Sequence, residues 1–319
     1  MSQEAEDRTA ESTRTGISGV NNPAVFPHRF LPDTTLAIAN PTSGNPTSRQ
    51  RARRLMALLH ERGYGVVQTE YAGHGTELAR NAALSGKDGI IVIGGDGTLC
   101  EVIADLPTET ALAYYPAGSG NNFGYNLLLP EPPEEWLAML KRGLTRPMRF
   151  GLCNDRPFAS VASVGFDALL VHKTPGGLKR HLNKGAYVVE FIPTYFTYES
   201  PEFKVTIDGQ PWNDDVLGVI VGRGPNYGGP HPILPACDPC DERLAYLIME
   251  GRSKWRIGKF AVGMLLDNLP KMDGVTCGTA QTVVVESQPP SYVQLDGNIF
   301  GSNPVTFRVD NAVRKILAP

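Results

Sequence analysis

The residues best suited to chemistry are Gly94, Gly95, Asp96, Gly97 and Thr98, which follow directly on the apolar run Ile90-Ile91-Val92-Ile93. Three glycines in four positions let the backbone take positive φ and bring its N–H groups close to a ligand, with no Cβ in the way. Thr98 opens a predicted helix, Leu99 to Leu106, whose free N–H groups and positive dipole end attract an anion. The predicted ligand is a phosphate. Asp96 in the middle of such a turn would repel it unless a cation lies between them or the carboxylate has a proton to accept. It therefore points to magnesium or to base chemistry. A glycine-rich turn by itself also suits an ordinary βα loop. Glu101, three residues after Thr98 as in a capping box, makes the composite of strand, turn and helix more specific.

Such a turn needs a scaffold. Ile90 to Ile93 reads as a strand buried on both faces, because β-branched residues without alternation suit a covered sheet. Leu36 to Ala39 is a first strand, ended by Asn40-Pro41. Thr47 or Ser48 caps a predicted helix to Arg62, with Ala52, Leu55, Met56 and Leu59 on one face. Arg49, Arg51, Arg53 and Arg54 crowd its first half, either as a solvated face or as contacts for phosphates or an anionic membrane. Gly65 to Thr69 is the second strand, His74 to Leu84 the next helix and Ala111 to Tyr115 the fourth strand. Alternating strands and helices imply a parallel sheet with helices on both faces, and ligands bind beyond the carboxyl ends of such strands. Asn40 to Gly44, Thr69, Gly94 to Thr98 and Gly118 to Asn122 all fall there, so these loops are expected at one crevice.

Gly118-x-Gly120-x-x-x-Gly124 comes close to a dinucleotide fingerprint. The chain then enters Pro130-Glu131-Pro132-Pro133 rather than a strand ending in an acidic residue, which discounts hydride transfer. No P-loop motif occurs. After Pro133 a short helix is predicted over Trp136 to Leu140. Then come β-rich runs at Phe158 to Val164, Phe203 to Ile207, Val216 to Val221, Leu244 to Met249, Thr282 to Val285 and Val305 to Val309. Helical stretches near Leu178 to Tyr198 and Trp255 to Leu266 interrupt them. Runs of this kind read as an antiparallel sandwich.

Three segments, Asn40-Pro41-Thr42-Ser43-Gly44, Gly94 to Glu101, and Pro116-Ala117-Gly118-Ser119-Gly120-Asn121-Asn122-Phe123, resemble the diacylglycerol kinase catalytic-domain family. That family includes bacterial lipid kinases and sphingosine kinases and is more distantly similar to NAD kinases. Weaker likeness runs through Gly165-Phe166-Asp167 and Leu295-Asp296-Gly297, so the resemblance covers the chain from about residue 30 onward. It implies an α/β fold: an N-terminal doubly wound parallel-sheet nucleotide domain (29–130) plus a C-terminal β-sandwich lipid-binding domain (131–307). The segment 308–319 is expected to return to the first domain, and 1–28 is expected to be a disordered tail.

The resemblance further implies an ATP- and Mg2+-dependent kinase. Its nucleotide contacts fall on Asn40, Pro41, Thr42, Ser43, Gly44, Thr69, Gly94, Gly95, Asp96, Gly97, Thr98, Leu99, Cys100, Glu101 and Ser119. Ser119 stands where threonine is usual. Cys100 and Asn122 replace an asparagine and an aspartate, and Cys100 is expected only to pack. Asp238-Pro239-Cys240-Asp241-Glu242-Arg243 aligns with a loop holding a structural magnesium, with Asp241 giving its carboxylate and Asp238 and Arg243 their carbonyl oxygens. Glycine is usual at Glu242. Zinc on Cys237-x-x-Cys240 and His231 is the alternative, though one such pair is weak evidence; plain turn chemistry is another.

Relatives commonly read Asp-Gly-Glu where this chain has Asp296-Gly297-Asn298. An amide is no base. The hydroxyl proton then goes to Asp96, to Asp296 or to the phosphoryl group itself, or the protein is a poor kinase. Losing a base costs about 10²- to 10⁴-fold and need not abolish turnover. Asp96 is the first choice, as in the sphingosine kinase branch. The implied reaction converts diacylglycerol to phosphatidate. A sphingoid base, ceramide or another glycerolipid, and distantly NAD, are other acceptors. A silent nucleotide or lipid sensor is the rival outside catalysis.

Length and composition agree with this. A chain of 319 residues with 41% hydrophobic residues can build two cores. A net charge of -3 makes no case for nucleic acid. Five scattered cysteines fit a reducing cytoplasm. No signal peptide or membrane span is legible, so lipid must be met from the water side. His172, Lys173, Lys179, Arg180, His181 and Lys184, beside the apolar run Ala186 to Phe196, form either a peripheral membrane contact or a solvated helix face. Oligomeric state is left open, a homodimer included.

Overall fold

The computed structural model describes residues 25–174, 184–235 and 237–319, with backbone alone for 184–190. Most of the expected tail, and Lys179, Arg180 and His181 of the basic cluster, lie outside the described residues.

The first half comprises β1 (Phe26–Pro27), β2 (Thr35–Ala39), α1 (Pro46–Glu61), β3 (Gly65–Gln68), α2 (His74–Leu84) and β4 (Gly89–Gly94). It continues with α3 (Asp96–Ala104), β5 (Ala111–Pro116), α4 (Asn122–Asn126), α5 (Pro133–Arg142) and β6 (Leu144–Met148). Strands β3, β2, β4 and β5 lie side by side in that order, all parallel. Every residue of β4 and β5 is buried, as strands covered on both faces must be. Two local expectations are corrected. The α1 cap is Asn45, whose side chain accepts from the Ser48 amide at 2.9 Å, with Pro46 just behind it; asparagine caps well and proline fits the first helical position. Helix α3 begins at Asp96 rather than Leu99, so the glycine-rich turn is itself the first helical turn, entered from an extended Gly95.

The second half comprises β7 (Gly151–Cys153), β8 (Arg156–Phe158), β9 (Val161–Gly165), α6 (Phe166–Lys173), α7 (Lys184–Thr197), β10 (Glu202–Ile207), β11 (Gln210–Pro211) and β12 (Val216–Gly222). After these come β13 (Leu244–Glu250), α8 (Lys254–Leu265), β14 (Val275–Ala280), β15 (Thr282–Gln288), β16 (Tyr292–Leu295), β17 (Asn298–Ser302), β18 (Val305–Val309) and β19 (Arg314–Leu317). Ten of these strands and the short β7 and β8 build two antiparallel sheets, β11-β10-β15-β18-β7-β8 and β14-β13-β12-β9-β16-β17. Val219 and Val221 of β12 point into the core between the sheets, while Leu217 and Ile220 meet a second core beneath the helices. A strand covered on both faces loses its alternation, which is why β12 reads as a continuous apolar run.

The division after residue 130 is corrected too. The α5 residue Trp136 is fully buried in the first core and donates its indole N–H to the Tyr114 carbonyl at 2.9 Å. Next, β6 pairs antiparallel with β19, which also lies parallel to β5, so both complete the first sheet. Arg314 of β19 reaches the C-terminal end of α3, donating to the Ile103 carbonyl at 3.2 Å and to that of Leu106 just beyond the helix at 2.7 Å, where a cation suits the helix dipole. The chain thus passes between the halves twice. The Asp310 amide donates to Phe150 at 2.8 Å and the Arg149 side chain to the Asn311 carbonyl at 2.9 Å, so the two passages run side by side. Of the arginines on α1, Arg51 pairs with Glu131 at 2.5 Å and Arg54 with Glu134 at 3.2 Å, which ties α1 to α5.

Candidate active site

The turns beyond β2, β4 and β5 interlock. The amide of Gly95 donates to Ser43 Oγ at 3.0 Å, and Asn40 Nδ2 donates to Thr98 Oγ1 at 3.1 Å. The Asn121 side chain closes the third turn on itself, accepting from the Gly118 amide at 2.7 Å and donating to its carbonyl at 3.0 Å. Gly118 and Gly95 touch backbone to backbone: a Cβ on Gly118 would lie 2.5 Å from the Gly95 Cα. Glycine there is a packing requirement.

These turns form one end of a cavity of about 1160 Å³. Asn40, Thr42, Ser43, Gly44, Gly95, Asp96, Gly97, Thr98, Cys100, Glu101 and Ser119 lie on its wall, as do Gly118 and Gly120 to Asn122. Pro41, Thr69, Gly94 and Leu99 do not. Leu99 is wholly buried in the core, and the Thr69 amide continues the sheet by donating to Ala39 at 2.9 Å.

Asp96 is 5% exposed at the head of α3. One oxygen accepts from the Tyr114 hydroxyl at 3.1 Å and the Phe123 amide at 3.3 Å, the other from the Asn122 amide at 2.8 Å. Burial, and then the charge of Asp296, push its carboxyl up to about 7 against the pull of those donors. Asp296, held at positive φ just after β16, sits in a cage of donors. It accepts from the amides of Ala159 at 2.6 Å, Ser160 at 2.8 Å and Val161 at 3.0 Å, and from Cys100 Sγ at 3.2 Å. Cys100 therefore does more than pack. Burial and the neighbouring Asp296 carboxylate raise its thiol well above the ordinary range, so it stays a neutral donor. Asn298 stands over the glycine-rich turn: a Cβ on Gly97 would lie 3.1 Å from Asn298 Nδ2.

The other end of the cavity is apolar, walled by Phe166, Leu170, Phe191, Tyr195, Leu217, Met249, Ile257 and Phe260 from α6, α7, β12, β13 and α8. A chain of polar side chains runs beneath the junction of the two ends. The Tyr227 hydroxyl and Ser163 Oγ donate to Asp167, the former at 2.7 Å. Gln294 Nε2 donates to Ser163 Oγ at 3.0 Å, and Gln294 Oε1 accepts from the Gly297 amide at 2.8 Å. Sequence reasoning touched Asp167 alone here. Ser163 and Gln294 meet because β9 and β16 pair them in register, which no local pattern reveals.

In the loop 238–243 the donors expected for magnesium are engaged within the protein. The Asp238 carboxylate accepts from the Cys240 amide at 2.8 Å, and the Asp241 carboxylate from the Glu242 amide at 2.7 Å. The guanidinium of Arg223, 1% exposed, takes the carbonyl oxygens of Arg243 and Asp241 at 2.6 Å each. Zinc fits no better. Cys237 donates to the Gly222 carbonyl, burial pushes its thiol up to about 12 and that of Cys240 up to about 11, and His231 is engaged with Asp267 at 2.6 Å. Among the described residues no group of three or more His, Cys, Asp or Glu side chains could hold a metal ion.

Residues 34–153 match the model of the diacylglycerol kinase catalytic domain, and residues 160–318 that of the YegS C-terminal NAD kinase beta sandwich-like domain. The chain is 30% identical over 282 residues to a Chromohalobacter salexigens protein named "Probable lipid kinase YegS-like", covering 86% of this chain and 90% of that one. It is 25% identical over 275 residues to a Staphylococcus aureus protein named diacylglycerol kinase, covering 85% and 87%. The crystal structure of a candidate diacylglycerol kinase from Bacillus anthracis matches with a TM-score of 0.72 at 24% identity, over 90% of this chain and 97% of that one. That last likeness shows the fold. With sheet, sandwich and shared cavity in place, these matches make the chain a member of the diacylglycerol kinase catalytic-domain family, the lipid kinases.

Proposed function

We propose that the chain transfers the γ-phosphoryl group of ATP, carried in as its magnesium complex, to the hydroxyl of diacylglycerol, giving phosphatidate and ADP. One observation supports this above the rest: a single cavity joins the glycine-rich turns to an apolar channel, and Asp96 lies on its wall. The half built on β1 to β6 and β19 takes the nucleotide, and the sandwich with its helices takes the acyl chains. Magnesium, arriving with the nucleotide, offsets phosphate charge. The residues do the rest by positioning, which is most of what phosphoryl transfer requires. The lipid oxygen bonds to the γ-phosphorus as the bond to the β-phosphate oxygen breaks, and the hydroxyl proton passes to Asp96. A carboxyl poised at about 7 suits that task near neutral pH. Asp296 acts as a positioning residue, its oxygens held by four donors.

A membrane contact completes the reading. Trp255 and Leu266 are 76% and 72% exposed at either end of α8, Ile192 and Phe196 of α7 are exposed as well, and Lys254 at the start of α8 donates to the Phe196 carbonyl at 2.5 Å, with Arg252 two residues before it. An apolar face rimmed by cations suits an anionic lipid surface. Among the described residues no helix is long and apolar enough to cross a membrane.

Asn298 over the turn favours one other reading, a nucleotide sensor that turns over poorly. Incubation with γ-labelled ATP, magnesium and mixed micelles of diacylglycerol, monoacylglycerol, ceramide or sphingosine distinguishes them. Label is expected in phosphatidate. Measurable ATP binding with label in no lipid would make the sensor correct.

A further inference from the structure

Arg223 follows directly on β12 and is buried, with 1% of its surface exposed. Its guanidinium makes four hydrogen bonds: Nε to the Arg149 carbonyl at 3.1 Å, Nη1 to Arg243 at 2.6 Å, and Nη2 to Pro239 at 2.7 Å and to Asp241 at 2.6 Å. Every acceptor is a main-chain oxygen. Four of the five N–H groups of an arginine are thus used, and among the described residues no carboxylate forms an ion pair with it.

A fully buried cation with no ion pair is costly unless other dipoles replace its hydration. Here the carbonyls of the 239–243 loop and of Arg149 do so, in the way that main-chain oxygens surround a hard metal ion. The family resemblance assigned a magnesium ion to this loop and to the carbonyl of Arg243. In this chain that carbonyl faces a guanidinium, and the carboxylates of Asp238 and Asp241 each accept from one of the loop's own amides. The partners also bridge distant parts of the fold. Arg149 stands where the chain leaves the first sheet, and its own side chain pairs with Glu242 at 2.8 Å.

We propose that Arg223 is a built-in cation that replaces the structural metal ion at this loop, so that the loop neither binds nor requires a divalent ion. A metal ion can be stripped by a chelator; an arginine, charged at all ordinary pH, cannot. The inference stands apart from the catalytic reading, because it concerns the protein without nucleotide.

The test is thermal unfolding of the nucleotide-free full chain in excess EDTA and in millimolar magnesium or calcium. The melting temperature is expected to agree across the three to within about 1 °C, since a ligand that binds only the folded state must raise it. A rise of about 5 °C or more with magnesium or calcium, abolished by Asp241→Asn, would overturn the proposal. As a second arm, Arg223→Met leaves its carbonyl partners buried and unpaired. It is expected to lower the melting temperature by about 5 °C or more, and Arg223→Lys, which keeps a charge and three donors, by less. A methionine variant as stable as the parent would also refute the assignment. If that variant fails to fold, the comparison of EDTA with magnesium on the unaltered chain still decides.

Discussion

The thiol of Cys100 on α3 donates to the carboxylate of Asp296, 3.2 Å away and 196 residues further along the chain. That carboxylate also accepts from the amides that connect β8 to β9, so the helix carrying Asp96 and the turn between β16 and β17 are bonded to each other at the cavity wall. Cys100→Ala is expected to cost about 1–2 kcal/mol of stability by removing one donor to a buried charge, and Cys100→Ser to restore part of it. Urea unfolding of the two variants against the parent measures this.

In the proposed reaction Asp96 sets the pH behaviour. As a base it works when deprotonated, so kcat/KM should rise with pH and level off above about 7. Asp96→Asn should lower turnover by about 10²- to 10⁴-fold, and a loss below about tenfold would rule Asp96 out as the base. Stability runs the other way. The folded value, about 7, lies above the ordinary carboxyl value of 3.8, so the fold favours the protonated form. The contribution of this group is complete below about pH 4 and is lost as pH rises through about 7. Melting curves from pH 4 to 8 should therefore decline less steeply in Asp96→Asn than in the parent.

The contact between two glycine turns gives a steric test. In Gly118→Ala the new methyl would lie 2.5 Å from the Gly95 Cα, and the two turns must part. Overpacking of this kind costs about 1–3 kcal/mol, and the expected signature is weaker ATP binding together with a lower melting temperature. Calorimetric titration with ATP reads the first and a thermal scan the second.

The proposed membrane face is separable from the site, because Trp255 and Leu266 are not on the cavity wall. Trp255→Ala and Leu266→Glu should reduce sedimentation with anionic phosphatidylglycerol vesicles. Turnover of a short-chain diacylglycerol in detergent micelles should be unchanged. Undiminished vesicle binding by both variants would refute the membrane face.

Much of this fold and site was legible because local chemistry dictates it. Uninterrupted apolar runs at 90–93 and 111–115 announce doubly covered strands, and Gly94-Gly95-Asp96-Gly97 announces a turn open to a ligand. What stayed hidden depends on partners far off in the chain. Strand β6, Leu144-Thr145-Arg146-Pro147-Met148, has no alternation and contains a proline, and it becomes a strand only because β19 returns to pair with it. Ser163 and Gln294 look like stray polar residues until sheet register brings them together. Arg223 reads as the polar end of an apolar strand, and its carbonyl partners lie up to 74 residues away.

The paired passages at 149–150 and 310–311 have a mechanical consequence. One tether would let two lobes swivel freely, whereas two tethers bonded side by side resist it, and the bonds of Cys100 to Asp296, Asn226 to Asn126 and Gly229 to Asn122 add further ties between the halves. Sliding of one half past the other would break both sets of bonds at once, which keeps the two walls of the cavity in one register.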